Sequence, residues 1–554
     1  MIKVYSFDIF DTLLLRPYAH PQDLWKELEE RENVKGFAKA RKKADAITFK
    51  KAIAANGETT IEEAYNLMPQ YKHLMEKEFA LEREVLRANP EMLSLWKELG
   101  KQGKRRVIVS DMYLPSDFIK SILCENGFDD FDGFYLSRDY NVRKSTGKLF
   151  QVMLHTENVD AKDVLHIGDN QDSDVEQPQK LGIQTQHYKK VITRLWDICP
   201  FLRYVDGRLS GTLALGWHQF TTKRTDCTYW HRLGFILAGV LGYVYVKWIV
   251  ETAKSIGKNR LMFVARDGYV WKNICNEIFP QIDTHYFYAP RITSIAVNGM
   301  IGSDPNAVKD RQKYFDTYLR GEDLDKIKSD YQQYLQQFVF NEGTAMVDGC
   351  SSGFSAQKLV ETIVGNEVFC FYLLAMAQKH YAASLYSTNL FSVQWQMLSE
   401  FLFGSPENPI KGVSANGPIY KQNIADQETF KISVSKEISE GAVACAKILH
   451  QENVKVSARD WLEYIDLFME YLTKEDKEYL SMAQNATDVE QKHFGNITYI
   501  PYSRHTIWVA RYKIQLRLKS HLWRLYLSRS GLHYHHQDIS VQIEDVAMDK
   551  VNTK

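Results

Sequence analysis

Three short apolar runs in the first 170 residues each end in a group suited to phosphorus chemistry. They are Ser-Phe-Asp8, Val-Ile-Val-Ser110 and His-Ile-Gly-Asp169, and a lysine-rich loop, VRKSTGKLF, lies between the last two. A carboxylate can attack phosphorus and form an aspartyl phosphate. A hydroxyl and an ammonium can hold the equatorial oxygens of a transferring phosphoryl group. Further carboxylates can hold Mg²⁺, which offsets the charge that would repel an anionic nucleophile. Singly, each group has an ordinary reading: a helix cap, a turn residue or a solvated lysine. Four in order, each in the same kind of context, point to one site.

Such groups converge only if the runs are neighbouring parallel strands, because ligands bind at the carboxyl ends of an open parallel sheet. The residues between them fit that requirement. Val107–Val109 is a β-branched run, FDGFYLS reads as a third strand and VLHIGDN as a fourth. Helical stretches separate them, among them Ser116–Glu125 and Lys148–Glu157. Alternating strands and helices predict an α/β fold with a doubly wound parallel sheet over residues 1–195. Residues from about 18 to 90 are rich in Lys, Glu, Ala and Leu at helical spacing, so a helical cap is expected to be inserted after the first strand. After residue 195 the pattern restarts. A long apolar helix at about 230–256 leads to NRLMFVARDGY, HYFYAP, TAMVDGCSSGF and VFCFYLLAM, which predict a second α/β domain over 210–425. Its strand–helix turns offer Arg266, Asp267, Asp348, Ser351 and Ser352 as polar candidates for an anion, or as ordinary turn residues. A helical, basic C-terminal region is expected over 430–554.

The segments SFDIFDTLL, VIVSDMY, KSTGKLF and HIGDNQDSDVEQPQKLGI resemble the four motifs of the haloacid dehalogenase (HAD) superfamily, in order, over roughly residues 1–190. The resemblance implies a HAD-like Rossmannoid domain in which Asp8 is the nucleophile and first Mg²⁺ ligand. It implies that Thr12 and Ser110 contact the phosphoryl oxygens and that Lys144 orients the nucleophile. Asp169 and Asp174 would complete the metal site together with the backbone carbonyl of Phe10. Lys148 and Asp172 are alternatives to Lys144 and Asp174. One position departs from the pattern: many superfamily phosphatases carry a general-acid aspartate two residues after the nucleophile, where this chain has Phe10. Strand alternation would turn the next residue, Asp11, away from the site. The whole of 1–425 also resembles bacterial two-part proteins that join a dehalogenase-like domain to a domain bearing an RDG motif. That group is associated with surface-polysaccharide assembly and glycosyltransferases.

The remaining features bound the function. The chain has 554 residues, enough for several domains, and Lys+Arg and Asp+Glu are both 69, which argues against a nucleic-acid partner. Seven scattered cysteines without a CxxC pair argue against a disulfide framework or structural zinc and for a cytoplasmic location. The N-terminus reads as a strand, not as a signal peptide. Leu233–Val250 is the most apolar segment, but three glycines and Lys247 favour a core helix over a membrane span. Residues 504–529 interleave seven basic residues with Trp508, Trp523 and leucines, which predicts either peripheral contact with an anionic membrane or a helix packed on the core. The histidines of HYHHQ at 533–537 lack a carboxylate or cysteine partner at ligand spacing. The expected function is Mg²⁺-dependent phosphoryl hydrolysis or transfer on a phosphorylated sugar or related metabolite. The alternatives are a glycosyltransferase-like or polymer-assembly protein in which the HAD domain is auxiliary, and a non-catalytic module that binds phosphorylated ligands.

Overall fold

The apolar run before Asp8 forms strand β1, Val4–Phe7, in the computed structural model, which describes residues 2–299, 305–351, 354–375, 381–387, 393–486 and 493–497. The short strands β2 (Leu14–Leu15) and β3 (Arg87–Ala88) pair antiparallel. Strands β4 (Arg105–Ser110), β5 (Gly133–Leu136), β6 (Val164–Gly168) and β7 (Gln184–His187) then join β1 in one parallel sheet of order β5-β4-β1-β6-β7. The chain winds outward through β4 and β5, then returns to the other side of β1 for β6. The ends of β1, β4 and β6 therefore face the crevice where the winding reverses. Side chains of β4 alternate between two cores: Val107 and Val109 pack with Leu149 and Phe150 on one face, Ile108 with Phe7 and Trp96 on the other. A sheet covered on both faces explains why its inner strands read as continuous apolar runs.

The helical insert runs through Asp23–Glu32, Phe37–Ala54, Ile61–Asn66 and Met75–Val85. The β2–β3 ribbon brings its two ends side by side, which fixes where the cap leaves and rejoins the core. Inside the cap lies Glu78, only 1% exposed. Its carboxylate accepts from Arg41 Nε and Nη2, both at 3.0 Å, from Trp25 Nε1 at 3.1 Å and from the Tyr65 hydroxyl at 2.7 Å. A buried charge with all its oxygens engaged ties four cap helices into one packing arrangement.

A second polar chain reaches the loop after β1. His218, on helix Gly207–Thr222, meets Asn89 Oδ1 at 2.9 Å, and Asn89 Nδ2 donates to the Thr12 carbonyl at 2.7 Å. Burial, above all, pushes His218 down from 6.5 to about 4. The unfolded chain takes up this proton near 6.5 and the folded chain only near 4. Its contribution to stability is therefore complete above about pH 6.5 and is lost as pH falls toward 4. The loss should reach roughly 2–3 kcal/mol. His218→Gln, compared with the parent chain by urea unfolding across this window, is expected to flatten that part of the pH dependence; parallel curves would refute it.

The chain divides into two units, one up to Thr228 with Lys447–Thr473, the other Tyr229–Ala446 with the described residues from Lys474 onward. These limits differ from the boundaries expected near 195 and 430. The second unit has its own parallel sheet: β8 (Arg260–Val264), β9 (Asp283–Phe287), β10 (Thr344–Ser351), β11 (Phe369–Ala375) and β12 (Ala382–Ser387), in the order β12-β11-β10-β8-β9. An antiparallel hairpin, β13 (Ile410–Ser414) and β14 (Gly417–Tyr420), follows. Tyr229–Ser255 is long and apolar enough to cross a membrane, but 89% of its most apolar window is buried inside the protein. It crosses Asp426–Gln451 closely: a Cβ on Gly441 would stand 2.1 Å from the His231 carbonyl oxygen, so only glycine fits there. Further helices are Ala458–Glu470 and Lys474–Met482. Ser352, the basic segment 504–529 and HYHHQ lie outside the described residues.

Candidate active site

Asp8 follows the last residue of β1, and its backbone N–H is held by the Ile167 carbonyl of β6 at 2.9 Å. Its Oδ1 accepts from Ser110 Oγ, at the end of β4, at 2.9 Å and from Lys144 Nζ at 2.5 Å. Lys144 also donates to Asp174 Oδ1 at 2.5 Å. The lysine's loop is fastened by its backbone N–H, which donates to Asp111 Oδ1 at 2.8 Å. Asp174 sits in the helical turn after β6, capped by Asn170, whose Oδ1 accepts from the N–H groups of Asp172 and Ser173. The Asp174 carboxylate further meets His166 Nε2 at 3.2 Å and accepts from Asn170 N at 2.9 Å. Gly168 leaves room for it: a Cβ there would come within 2.5 Å of Asp174 Cγ.

Asp169 is held from the other side by Lys190, whose Nζ lies 2.9 Å from Asp169 Oδ2 and 2.8 Å from Asp11 Oδ2. Strand alternation does not govern Asp11, because β1 ends at Phe7 and Asp11 has a left-handed φ of 57°. Its carboxylate is thus tied to the lysine that also holds Asp169. The Phe10 ring lies under Arg16, 4.1 Å from ring centroid to Cζ, and Arg16 is paired with Glu82 through two hydrogen bonds of 3.1 and 3.0 Å. Thr12 is fully buried, and among the described residues its hydroxyl has no hydrogen-bond partner.

Asp8, Ser110, Lys144, Asp169 and Asp174 are therefore brought together. Of the alternatives, Lys148 is exposed, and Asp172 is exposed and accepts from Gln177 Nε2 at 2.9 Å. Lys190 and His166 belong to the cluster although nothing in their sequence context marks them. Burial, opposed by Lys144 and reinforced by Asp174 and Asp169, pushes the Asp8 carboxyl up to about 7. Burial also raises Asp169, against the pull of Lys190. Burial would raise Asp174 too, but Lys144 and His166 hold it well below the usual carboxylate range. Oxygen atoms of Asp8, Asp169 and Asp174 lie within 4.8 Å of one another. A hard, all-oxygen donor set of that span suits Mg²⁺. A divalent ion there would favour ionised Asp8.

In the second unit, Arg266 follows β8 with φ 77° and lies 3.3 Å from Glu428. Asp267 packs against Gly349, where a Cβ would stand 2.4 Å from its Oδ2, so the ends of β8 and β10 meet. Burial raises Asp267 to about 7 and Asp348 to about 6. Ser351 closes β10.

No family model matches the chain, and no curated protein sequence matches it. Solved structures similar to it include a HAD family enzyme from Bacteroides thetaiotaomicron in complex with magnesium and inorganic phosphate. That likeness is 18% identical, covers 34% of this chain and 96% of the other, and has a TM-score of 0.28. Another is L-2-haloacid dehalogenase from Xanthobacter autotrophicus with chloropropionic acid covalently bound: 18% identical, 36% and 83% covered, TM-score 0.28.

Proposed function

We propose that this chain is a Mg²⁺-dependent phosphoryl hydrolase or phosphotransferase of the HAD type, acting through a phosphorylated Asp8 on a phosphorylated sugar or related metabolite. The observation that supports it most is the sharing of Asp8 Oδ1 between Ser110 and Lys144. The Asp8 carboxylate would attack phosphorus, forming one P–O bond while the bond to the leaving oxygen breaks. Thr12 and Ser110 would donate to the equatorial oxygens, and Lys144 would offset their charge. Water would then cleave the acyl phosphate and restore Asp8, or an acceptor hydroxyl would take the phosphoryl group. Asp8, Asp169, Asp174 and the Phe10 carbonyl would hold Mg²⁺, which supplies charge neutralisation between nucleophile and phosphate. Asp174, engaged by Lys144, His166 and Asn170 N–H, also fixes the lysine in place.

Turnover of para-nitrophenyl phosphate is expected to vanish in excess EDTA and to return with added Mg²⁺. Undiminished turnover in EDTA would refute the metal assignment. The two-part resemblance supports a place in surface-polysaccharide biosynthesis, in the cytoplasm, with glycosyltransferases as partners. The basic segment 504–529 supports peripheral binding to anionic membranes. The full chain is expected to sediment with anionic liposomes, less so at high salt, and a 1–490 chain to stay in solution. Equal sedimentation of the two would refute that contact.

A further inference from the structure

The second sheet also reverses its winding, between β8 and β10, so its strand ends face a crevice of their own. Some charged groups near that edge are not explained by packing. Arg291 opens helix Arg291–Asn298, which has Pro290 before it and no side-chain cap. The unpaired N–H groups of such a helix start, and its dipole, favour an anion. The Arg291 guanidinium lies 5.7 Å from the Tyr314 ring centroid and, among the described residues, is in no ion pair. Arg311, on helix Pro305–Tyr314, is only 8% exposed. Among the described residues it has no hydrogen bond and no carboxylate partner. Burial and then the like charge of Arg291 hold it below its ordinary value. The hydroxyl of Thr293, in the first turn of helix Arg291–Asn298, is buried and, among the described residues, unpartnered as well.

Burying a guanidinium beside a second one is costly unless an anion completes the site. We infer that Arg291, Arg311 and the start of helix Arg291–Asn298 form a second anion site, one that takes the phosphate monoester or diphosphate end of a small molecule. Two guanidinium groups and a helix start offer more positive charge and more donors than one carboxylate uses. A phosphate group brings up to two charges and three acceptor oxygens. The charge of Arg291 also favours the ionised form of Asp348, within β10, and Asp267 lies against the next residue of that strand. These carboxylates suit hydroxyl donors, so the rest of the ligand is expected to be rich in hydroxyl groups.

The test is titration calorimetry of the full chain with inorganic phosphate in the presence of Mg²⁺, for the parent, Arg311→Met and Arg291→Gln. The site around Asp8 and Lys144 serves as an internal control. Two binding sites are expected in the parent and one in each variant, with affinity at the lost site reduced at least tenfold. Arg311→Met should also melt no lower than the parent without phosphate, because it removes an unpaired buried charge. Two sites in both variants would overturn the inference, as would a single parental site that persists in both. A single parental site lost in both variants would support it while counting against the Asp8 site. If Arg311→Met does not fold, the exposed Arg291→Gln decides in the same way.

Discussion

Asp8→Asn is expected to lower turnover of para-nitrophenyl phosphate by about 10⁴-fold or more, the scale on which removal of a nucleophile acts. The amide keeps the shape of the carboxyl and can still accept from Ser110 and Lys144, so the sheet and cap should remain folded. It cannot attack phosphorus to form a stable acyl phosphate, and it is a poor ligand for Mg²⁺. The variant should therefore lose both phosphoryl transfer and the rise in melting temperature that Mg²⁺ gives the parent. Full turnover by Asp8→Asn in a folded chain would remove Asp8 from the mechanism.

Phe10→Asp is expected to act in the opposite direction, and selectively. Phe10 can neither protonate a leaving alkoxide nor activate the attacking water, so the parent should favour good leaving groups and accumulate phospho-enzyme. General acid–base catalysis contributes about 10²–10⁴-fold. Arg16, 4.1 Å above the ring and already paired with Glu82, would hold a new carboxyl partly ionised. The gain with an alkyl phosphate should therefore fall near the lower end, about 10²-fold. Aryl phosphates need little protonation and should gain far less. Equal gains on both, or none on either, would show that Phe10 does not limit the chemistry.

The parts of the fold legible in the sequence are those where burial dictates residue type. The inner strands β1, β4 and β6 are covered on both faces, so each reads as an apolar run, and the polar group at its end stands out. Helices Ser116–Glu125 and Lys148–Glu157 have the limits their spacing predicts. The edge strand β7, Gln-Thr-Gln-His, is largely exposed and carries no apolar residue, so no pattern announces it. The same holds for the ion pairs that complete the site. Lys190 meets Asp11 across 179 residues of sequence, and no local spacing encodes such a contact. The alternation argument at Phe10 and Asp11 failed because it assumed a strand continuing past Phe7. The chain instead turns there, with Leu13 and Leu14 both donating to the Ile9 carbonyl and Asp11 in a left-handed conformation.

The central claim is a covalent phosphoryl group on Asp8, and rapid-quench mass spectrometry during turnover of para-nitrophenyl phosphate with Mg²⁺ tests it most directly. The expected result is a chain heavier by one phosphoryl group, with the added mass on the peptide that contains Asp8. The adduct should be absent from Asp8→Asn. Steady turnover with no adduct at any quench time, or an adduct on another residue that persists in Asp8→Asn, would contradict it.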